Sequence, residues 1–199
     1  MGMGEAHLKL NTEYCFLRRR KLMNIWHDIS PKRIKKDRFY AVIEISKGGK
    51  NKYELDKETG MLKLDRVLFT STHYPANYGF IPRTYASDND PLDVLVLCSE
   101  TIQPMTIVEC TPIGVLIMED SGARDEKIIA VPVNDPNYNG YSNIDQLPVH
   151  RFDEIKHFFE VYKSLEHEKA TSVTEVQPRD VAEGIIEACI ESYIEKFQM

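Results

Sequence analysis

Apolar and polar residues alternate along Phe39–Ile45, with Phe39, Ala41, Ile43 and Ile45 on one face and Tyr40, Val42 and Glu44 on the other. This period of two predicts a strand. Gly48-Gly49 marks a turn, residues 52–56 read as a second strand, and Gly60 punctuates before a third at 61–68. Further strand-like runs occupy 92–98, 106–118 with an interruption near Pro112, and 127–133. The period then changes. Over 153–168, Ile155, Phe159, Tyr162 and Glu166 recur near one stripe with Phe158 and Leu165 beside it, which predicts a helix. Arg179–Phe197 repeats the pattern with Ile186, Ile190, Tyr193 and Phe197, and Pro178 supplies a start signal. Strands first and helices last predict an α+β fold, a small barrel or open sheet with helices packed on it.

Composition narrows this picture. The 199 residues are 42% hydrophobic and 28% charged, enough for a core without metal or disulfide staples. The longest apolar runs, such as 94–98 and 128–133, fall far short of the roughly 20 residues a membrane helix needs. The formal charge of -6 argues against a sequence-independent nucleic-acid binder, which needs a clustered Lys/Arg surface. It leaves a small phosphate substrate open. Cys15, Cys98, Cys110 and Cys189 are scattered without a CxxC pair, as expected of free thiols in a reducing cytoplasm. Residues 1–22 hold five basic side chains against two acidic, a local +3, and leave -9 for the rest. That segment reads as a flexible basic extension ahead of a single domain at 23–199. Met23 is a possible natural start, and a transit peptide is the alternative, with Glu5 and Glu13 atypical for one.

The chemistry concentrates in Asp88-Asn89-Asp90-Pro91-Leu92-Asp93, and Pro91 biases Asp90 toward extended backbone. An extended segment projects Asp88 and Asp90 to the same side, and a bend at the strand start can turn Asp93 toward them. Asp93 interrupts an apolar strand, where an unpaired carboxylate is costly to bury, and a hard divalent cation would compensate it. A plain Asp-rich turn explains Asp88 but gives Asp93 no reason. An EF-hand fails, because Leu92 and Asp93 stand where a ligand and a glycine are required. The Asp-x-Asp of sugar-nucleotide transferases remains a weak match.

A second acidic loop, with Asp120 and Asp125, joins two strong strands, whose ends can aim both carboxylates at the first cluster. Lys52 and Glu54 share one strand face, and Asp65-Arg66 and Tyr74-Pro75-Ala76-Asn77-Tyr78-Gly79 add basic and phenolic groups. Arg can grip a phosphate bidentately and Lys supplies a point charge. Taken singly, each of these reads first as a surface salt bridge or a core aromatic.

Together the segments resemble the soluble family I inorganic pyrophosphatases. Asp88-Asn89-Asp90-Pro91-Leu92-Asp93-Val94 fills every position of that family's signature. The likeness runs from about Asn24 to Lys163 through Val42-Ile43-Glu44-Ile45, Lys52-Tyr53-Glu54, Asp65-Arg66, Tyr74-Pro75-x-Asn77-Tyr78-Gly79, Gly114-Val115-Leu116, Asp120/Asp125/Lys127 and His157-Phe158-Phe159-Glu160-x-Tyr162-Lys163. Asn24-Ile25-Trp26-His27-Asp28-Ile29 and Ile81-Pro82-Arg83-Thr84 are similar to the plant-like branch.

The resemblance implies a five-stranded OB-like closed β-barrel with flanking α-helices, hydrolysing pyrophosphate to two phosphates with Mg2+, Mn2+ being a substitute. It implies that Asp88, Asp93, Asp120 and Asp125 hold the metals, with Asp93 and Asp125 bridging, and that Asp90 is the general base or hydrogen-bond partner of the attacking water. Lys52, Arg66, Tyr78, Lys127, Tyr162 and Lys163 are implied to hold the phosphates, with Glu44, Glu54 and Tyr74 supporting from behind. Ser121 departs from members that carry a second carboxylate there. Oxygen-only donors suit Mg2+ or Mn2+ rather than zinc. The expected partners are pyrophosphate, phosphate and other copies of the chain, a hexamer before a dimer, with no nucleic acid and no membrane, in the cytoplasm. A non-catalytic OB-like barrel that binds nucleic acid or protein and a phosphatase for organic phosphate or diphosphate esters are the competing functions.

Overall fold

The computed structural model describes residues 23–120, 122–166 and 171–197. The expectations placed on 1–22, on Ser121 and on the end of the 153–168 helix at Glu168 fall outside those residues. In chain order the elements are β1 (Phe39–Ile45), β2 (Asn51–Leu55), β3 (Leu62–Val67), β4 (Asn77–Phe80), β5 (Asp93–Val96), β6 (Ile107–Asp120), β7 (Ala123–Pro132), α1 (Val149–Val161), β8 (Ser172–Pro178) and α2 (Arg179–Phe197). The main sheet runs β1-β4-β5-β7-β6-β8, β1 also pairs with β6, and β2 and β3 form a separate two-stranded sheet. Among the described residues, no helix is long and apolar enough to cross a membrane.

The fold is α+β as predicted, and the differences from the sequence pattern have physical reasons. The alternation of β1 predicts one polar face, yet Val42 is fully buried and Glu44 is 6% exposed. The strand is covered on both sides. One core packs under α1 around Ile155, Phe158 and Phe159. Another packs under Ala182 and Ile186 of α2. A third gathers Val42 with Trp26, Phe80 and Tyr193. Burial of one such large side chain contributes about 1.5–3 kcal/mol.

Two strands carry no period-two signal. β4 is four buried residues, and its Asn and Gly are poor strand formers. In β8, a register shift opposite Ile117/Met118 separates Val173 from Val176 by an odd interval. Pro112 does not end β6. It sits instead where the β6–β7 register shifts, a position that tolerates a missing donor. α1 starts four residues before the predicted 153 and ends at Val161, so Tyr162 and Lys163 lie on the turns that follow it.

Two residues of the Tyr74–Gly79 motif are explained by packing alone. A Cβ on Gly79 would lie 1.8 Å from the Val42 carbonyl oxygen. Fully buried Asn77 accepts from the backbone N–H of Lys47 (3.0 Å) and Ile102 (2.9 Å) and donates to the Glu100 carbonyl (3.1 Å), tying the loops after β1 and β5 to the start of β4.

Candidate active site

β5 and β7 run parallel with Asp93 opposite Lys127, and β4 lies antiparallel to β5 with Phe80 opposite Asp93. This register brings an acid, an amine and the Tyr78 phenol to one place. Tyr78 Oη donates to Asp93 Oδ2 at 2.5 Å, and Lys127 Nζ donates to Asp93 Oδ2 at 2.7 Å and to Asp125 Oδ1 at 3.1 Å. The β6–β7 hairpin, with Met118 opposite Asp125 and Asp120 opposite Ala123, carries the second acidic pair to the same end of the sheet. From the turns beyond α1, Lys163 Nζ reaches Asp120 Oδ2 at 2.8 Å.

The predicted extended path of 88–90 is replaced by a turn. Asn89 takes a left-handed φ of 71°. The Asp90 N–H donates to Asp88 Oδ1 at 3.0 Å, and the Ala86 N–H to the Asp90 carbonyl at 2.8 Å. The capping turn and the convergence of carboxylates are therefore both present.

These groups line one cleft of about 250 Å³. Its walls include Asp88, Asp90, Asp93, Asp120, Asp125, Lys52, Lys127, Lys163, Tyr78, Tyr162, Glu44 and Glu54. Lys52 pairs with Glu54 and, at 3.3 Å, with Asp65, while Glu44 Oε1 accepts the Leu55 N–H at 2.8 Å. A larger groove of about 580 Å³ lies between residues 85–89 and α2 but lacks the carboxylate cluster.

Two predicted residues stand off the wall. Arg66 turns to Glu166, Nη2 to Oε2 at 2.7 Å, and to Asp65 at 2.5 Å. Tyr74 is buried behind the site against Tyr78 and Phe158. Glu166, read from its spacing as part of a helical stripe, serves as this ion-pair partner. Lys57 is a wall residue the sequence did not single out, and nothing in its spacing separates it from an ordinary turn lysine.

The electrostatics follow from crowding and burial. Burial raises the Glu44 carboxyl well above its usual range, and nearby Asp93 pushes the same way. Burial, with Asp125 adding to it, also raises Asp93 in spite of Lys127. Asp88 is raised, first by desolvation and then by Asp90 and Asp125, against its bond from the Asp90 N–H. Burial alone would lower Lys127, but Asp93, Tyr78 and Asp125 outweigh it and keep the ammonium charged. Burial raises the Tyr78 and Tyr162 phenols.

Among the described residues, no three His, Cys, Asp or Glu groups form a tight preassembled cage. The carboxylates are instead engaged by amines, Asp93 and Asp125 by Lys127, Asp120 by Lys163, and Asp90 by Lys57. An all-oxygen set in which burial, with neighbouring carboxylates adding to it, raises Asp88 and Asp93 fits a hard divalent cation.

Comparison with known proteins agrees with this geometry. A family model described as inorganic pyrophosphatase matches residues 41–194. The chain is 46% identical over 172 residues to soluble inorganic pyrophosphatase 2 of Chlamydomonas reinhardtii, covering 86% of this chain and 89% of that protein. It is 48% identical over 170 residues to a soluble inorganic pyrophosphatase of Solanum tuberosum, covering 85% and 80%. The solved inorganic pyrophosphatase of Helicobacter pylori superposes with a TM-score of 0.78 at 46% identity, covering 80% of this chain and 95% of that one. The chain belongs to the inorganic pyrophosphatase family.

Proposed function

We propose that the chain hydrolyses inorganic pyrophosphate to two orthophosphates with Mg2+, Mn2+ being able to replace it. Family membership carries a divalent-metal requirement. The observation that carries the proposal is the single cleft in which Asp88, Asp93, Asp120 and Asp125 meet Lys52, Lys127, Lys163, Tyr78 and Tyr162. The four Asp carboxylates would hold the cations. When bound, these neutralise the polyanionic substrate and acidify water, which is what attack on a phosphoric anhydride at neutral pH needs.

The chain's own groups supply the rest. Asp90 Oδ accepts the proton of the attacking water or holds that water in line. Lys127 and Lys163, already held in place by the acids, offer charge to the departing phosphate, with Lys52 lining the same cleft. Tyr162, kept protonated by burial, donates a hydrogen bond to a phosphate oxygen, and Tyr78, likewise protonated, does so after exchange from Asp93. Glu44 fixes the β2 backbone through Leu55, Glu54 orients Lys52, and Tyr74 backs Tyr78. Arg66 serves as a phosphate ligand after exchange from Glu166.

The same reading takes residues 23–199 as one pyrophosphatase domain. It also takes β1-β4-β5-β7-β6 as a five-stranded OB-like closed barrel, supported by the extra β1–β6 pairing that makes the ladder cyclic. The reading includes assembly as a homo-oligomer, a hexamer before a dimer, and exposed Met61, Leu64, Val67 and Phe69 on and beside β3 support a contact between copies without choosing their number. Free thiols at Cys98, Cys110 and Cys189 support a cytoplasmic location.

The test is phosphate release from pyrophosphate, ATP and a sugar phosphate, with and without Mg2+. Pyrophosphate should be strongly preferred, and chelator or Asp93→Ala should abolish turnover. Activity indifferent to both would reject the proposal.

A further inference from the structure

We propose that Lys57 is a positioning residue for Asp90, fixing its carboxylate from across the cleft. The proposal rests on the role given to Asp90 above. Lys57 lies in the β2–β3 turn, in the separate two-stranded sheet, whereas Asp90 precedes β5 of the main sheet. Its ammonium pairs with Asp90 Oδ1, donates to the Asn89 carbonyl at 3.2 Å, and stands 5.9 Å over the Trp26 ring.

The donor side is anchored through the backbone. The Lys57 carbonyl accepts from Asn24 Nδ2 at 2.9 Å. Asp56 Oδ1 accepts the N–H of Glu58 at 2.9 Å and of Thr59 at 3.1 Å. Gly60, at a φ of 71°, seats the turn so closely on Met23 that a Cβ would come within 2.8 Å of its carbonyl oxygen. On the receiving side, the Asp90 N–H donates to Asp88 Oδ1 and the Asn89 carbonyl accepts from Lys57, so the ammonium holds the turn backbone as well as the carboxylate. Among the described residues, Lys57 is the cation paired with the Asp90 carboxylate.

Lys57 and Asp90 side chains are 48% and 49% exposed, and so open a pair contributes little to folding. Its value is alignment, because a base displaced by about 1 Å can lose on the order of a hundredfold in rate.

The experiment compares Lys57→Met, Lys57→Arg, Asp90→Asn and the double variant Lys57→Met/Asp90→Asn. Lys57→Met should lower kcat by about ten- to a hundredfold while KM for pyrophosphate stays within about twofold, and Lys57→Arg should recover most of the loss. In the Asp90→Asn background, Lys57→Met should change nothing further. Without added metal, amide hydrogen exchange at Asn89 and Asp90 should quicken in Lys57→Met and stay at the parent rate in Lys57→Arg. An equal loss in the Asp90→Asn background, a rise in KM at constant kcat, or unchanged exchange would overturn the proposal. A parent chain that fails to hydrolyse pyrophosphate would sink the functional reading alone, and the exchange comparison would still decide the Lys57 link.

Discussion

Asp93 on β5 and Lys127 on β7 occupy the same level of a parallel strand pair, and Lys127 Nζ lies 2.7 Å from Asp93 Oδ2. Lys127 is 3% exposed, so its charge has exchanged water for two carboxylates and a phenol. Replacing it with Met leaves Asp93 and Asp125 uncompensated. Lys127→Met should destabilise the metal-free protein by about 3–5 kcal/mol, read by calorimetry. It should also slow phosphate release by at least about a hundredfold, as expected when a preorganised charge is lost from a reaction site.

Gly79 is a purely steric requirement. Its missing side chain lets β4 approach β1, where a Cβ would sit 1.8 Å from the Val42 carbonyl oxygen and 2.9 Å from Ile43 Cα. Both obstacles are backbone, so neither can swing away. Gly79→Ala should cost more than about 3 kcal/mol and reduce soluble yield, the outcome expected of overpacking without room to relax. The neighbouring Tyr78 would lose its alignment, so any folded fraction should show depressed kcat.

The metal-ligand candidates were legible because carboxylates next to apolar runs violate the burial rule, and violations of that rule carry information. Asp93 within 92–98 announced itself this way, whereas Lys127 entered only through the family resemblance. The Arg66–Glu166 pair was not legible, since no periodicity reports which cation a distant turn will meet. Lys57 was invisible for a related reason. Its importance lies in a contact between two sheets, while its local sequence is that of a solvated hairpin turn. β4 and β8 escaped because close backbone approach and a register shift each erase the period of two. Segments whose local pattern agrees with their tertiary role, such as α2, were bounded correctly from sequence.

Glu44 gives stability a pH dependence of known sign. Burial, with Asp93 beside it, raises its folded-state pKa above the unfolded value. The native state therefore keeps a proton that the unfolded chain gives up, and the stability from Glu44 is full below about pH 4.3 and is lost as pH rises through the folded value. Glu44→Gln keeps an acceptor for the Leu55 N–H and removes the titration. In urea unfolding with chelator present, Glu44→Gln should be more stable than the parent at pH 8 by about 1–2 kcal/mol. The gap should close toward pH 4.

Asp135 should set the acid limb in the opposite sense. Burial disfavours its charge, but donors outweigh that: Asp135 Oδ2 accepts the Ser99 N–H at 2.7 Å and hydroxyl at 2.9 Å, and Oδ1 accepts the Asn137 N–H at 2.9 Å. Together they hold its pKa at about 2. With the folded value below the unfolded one, its contribution is present above about pH 4 and lost as pH falls through 2. The interaction ties the segment after β5 to the turn after β7, beyond the ends of these strands that lie away from Asp93 and Asp125. Asp135→Asn cannot substitute, because its amide nitrogen would have to face an N–H donor on one side or the other. The variant should lose about 2–3 kcal/mol at pH 7, measured by urea unfolding, with the difference from the parent shrinking steadily toward pH 2. A constant difference across that range would mean that packing, rather than the ionised carboxylate, holds these loops together.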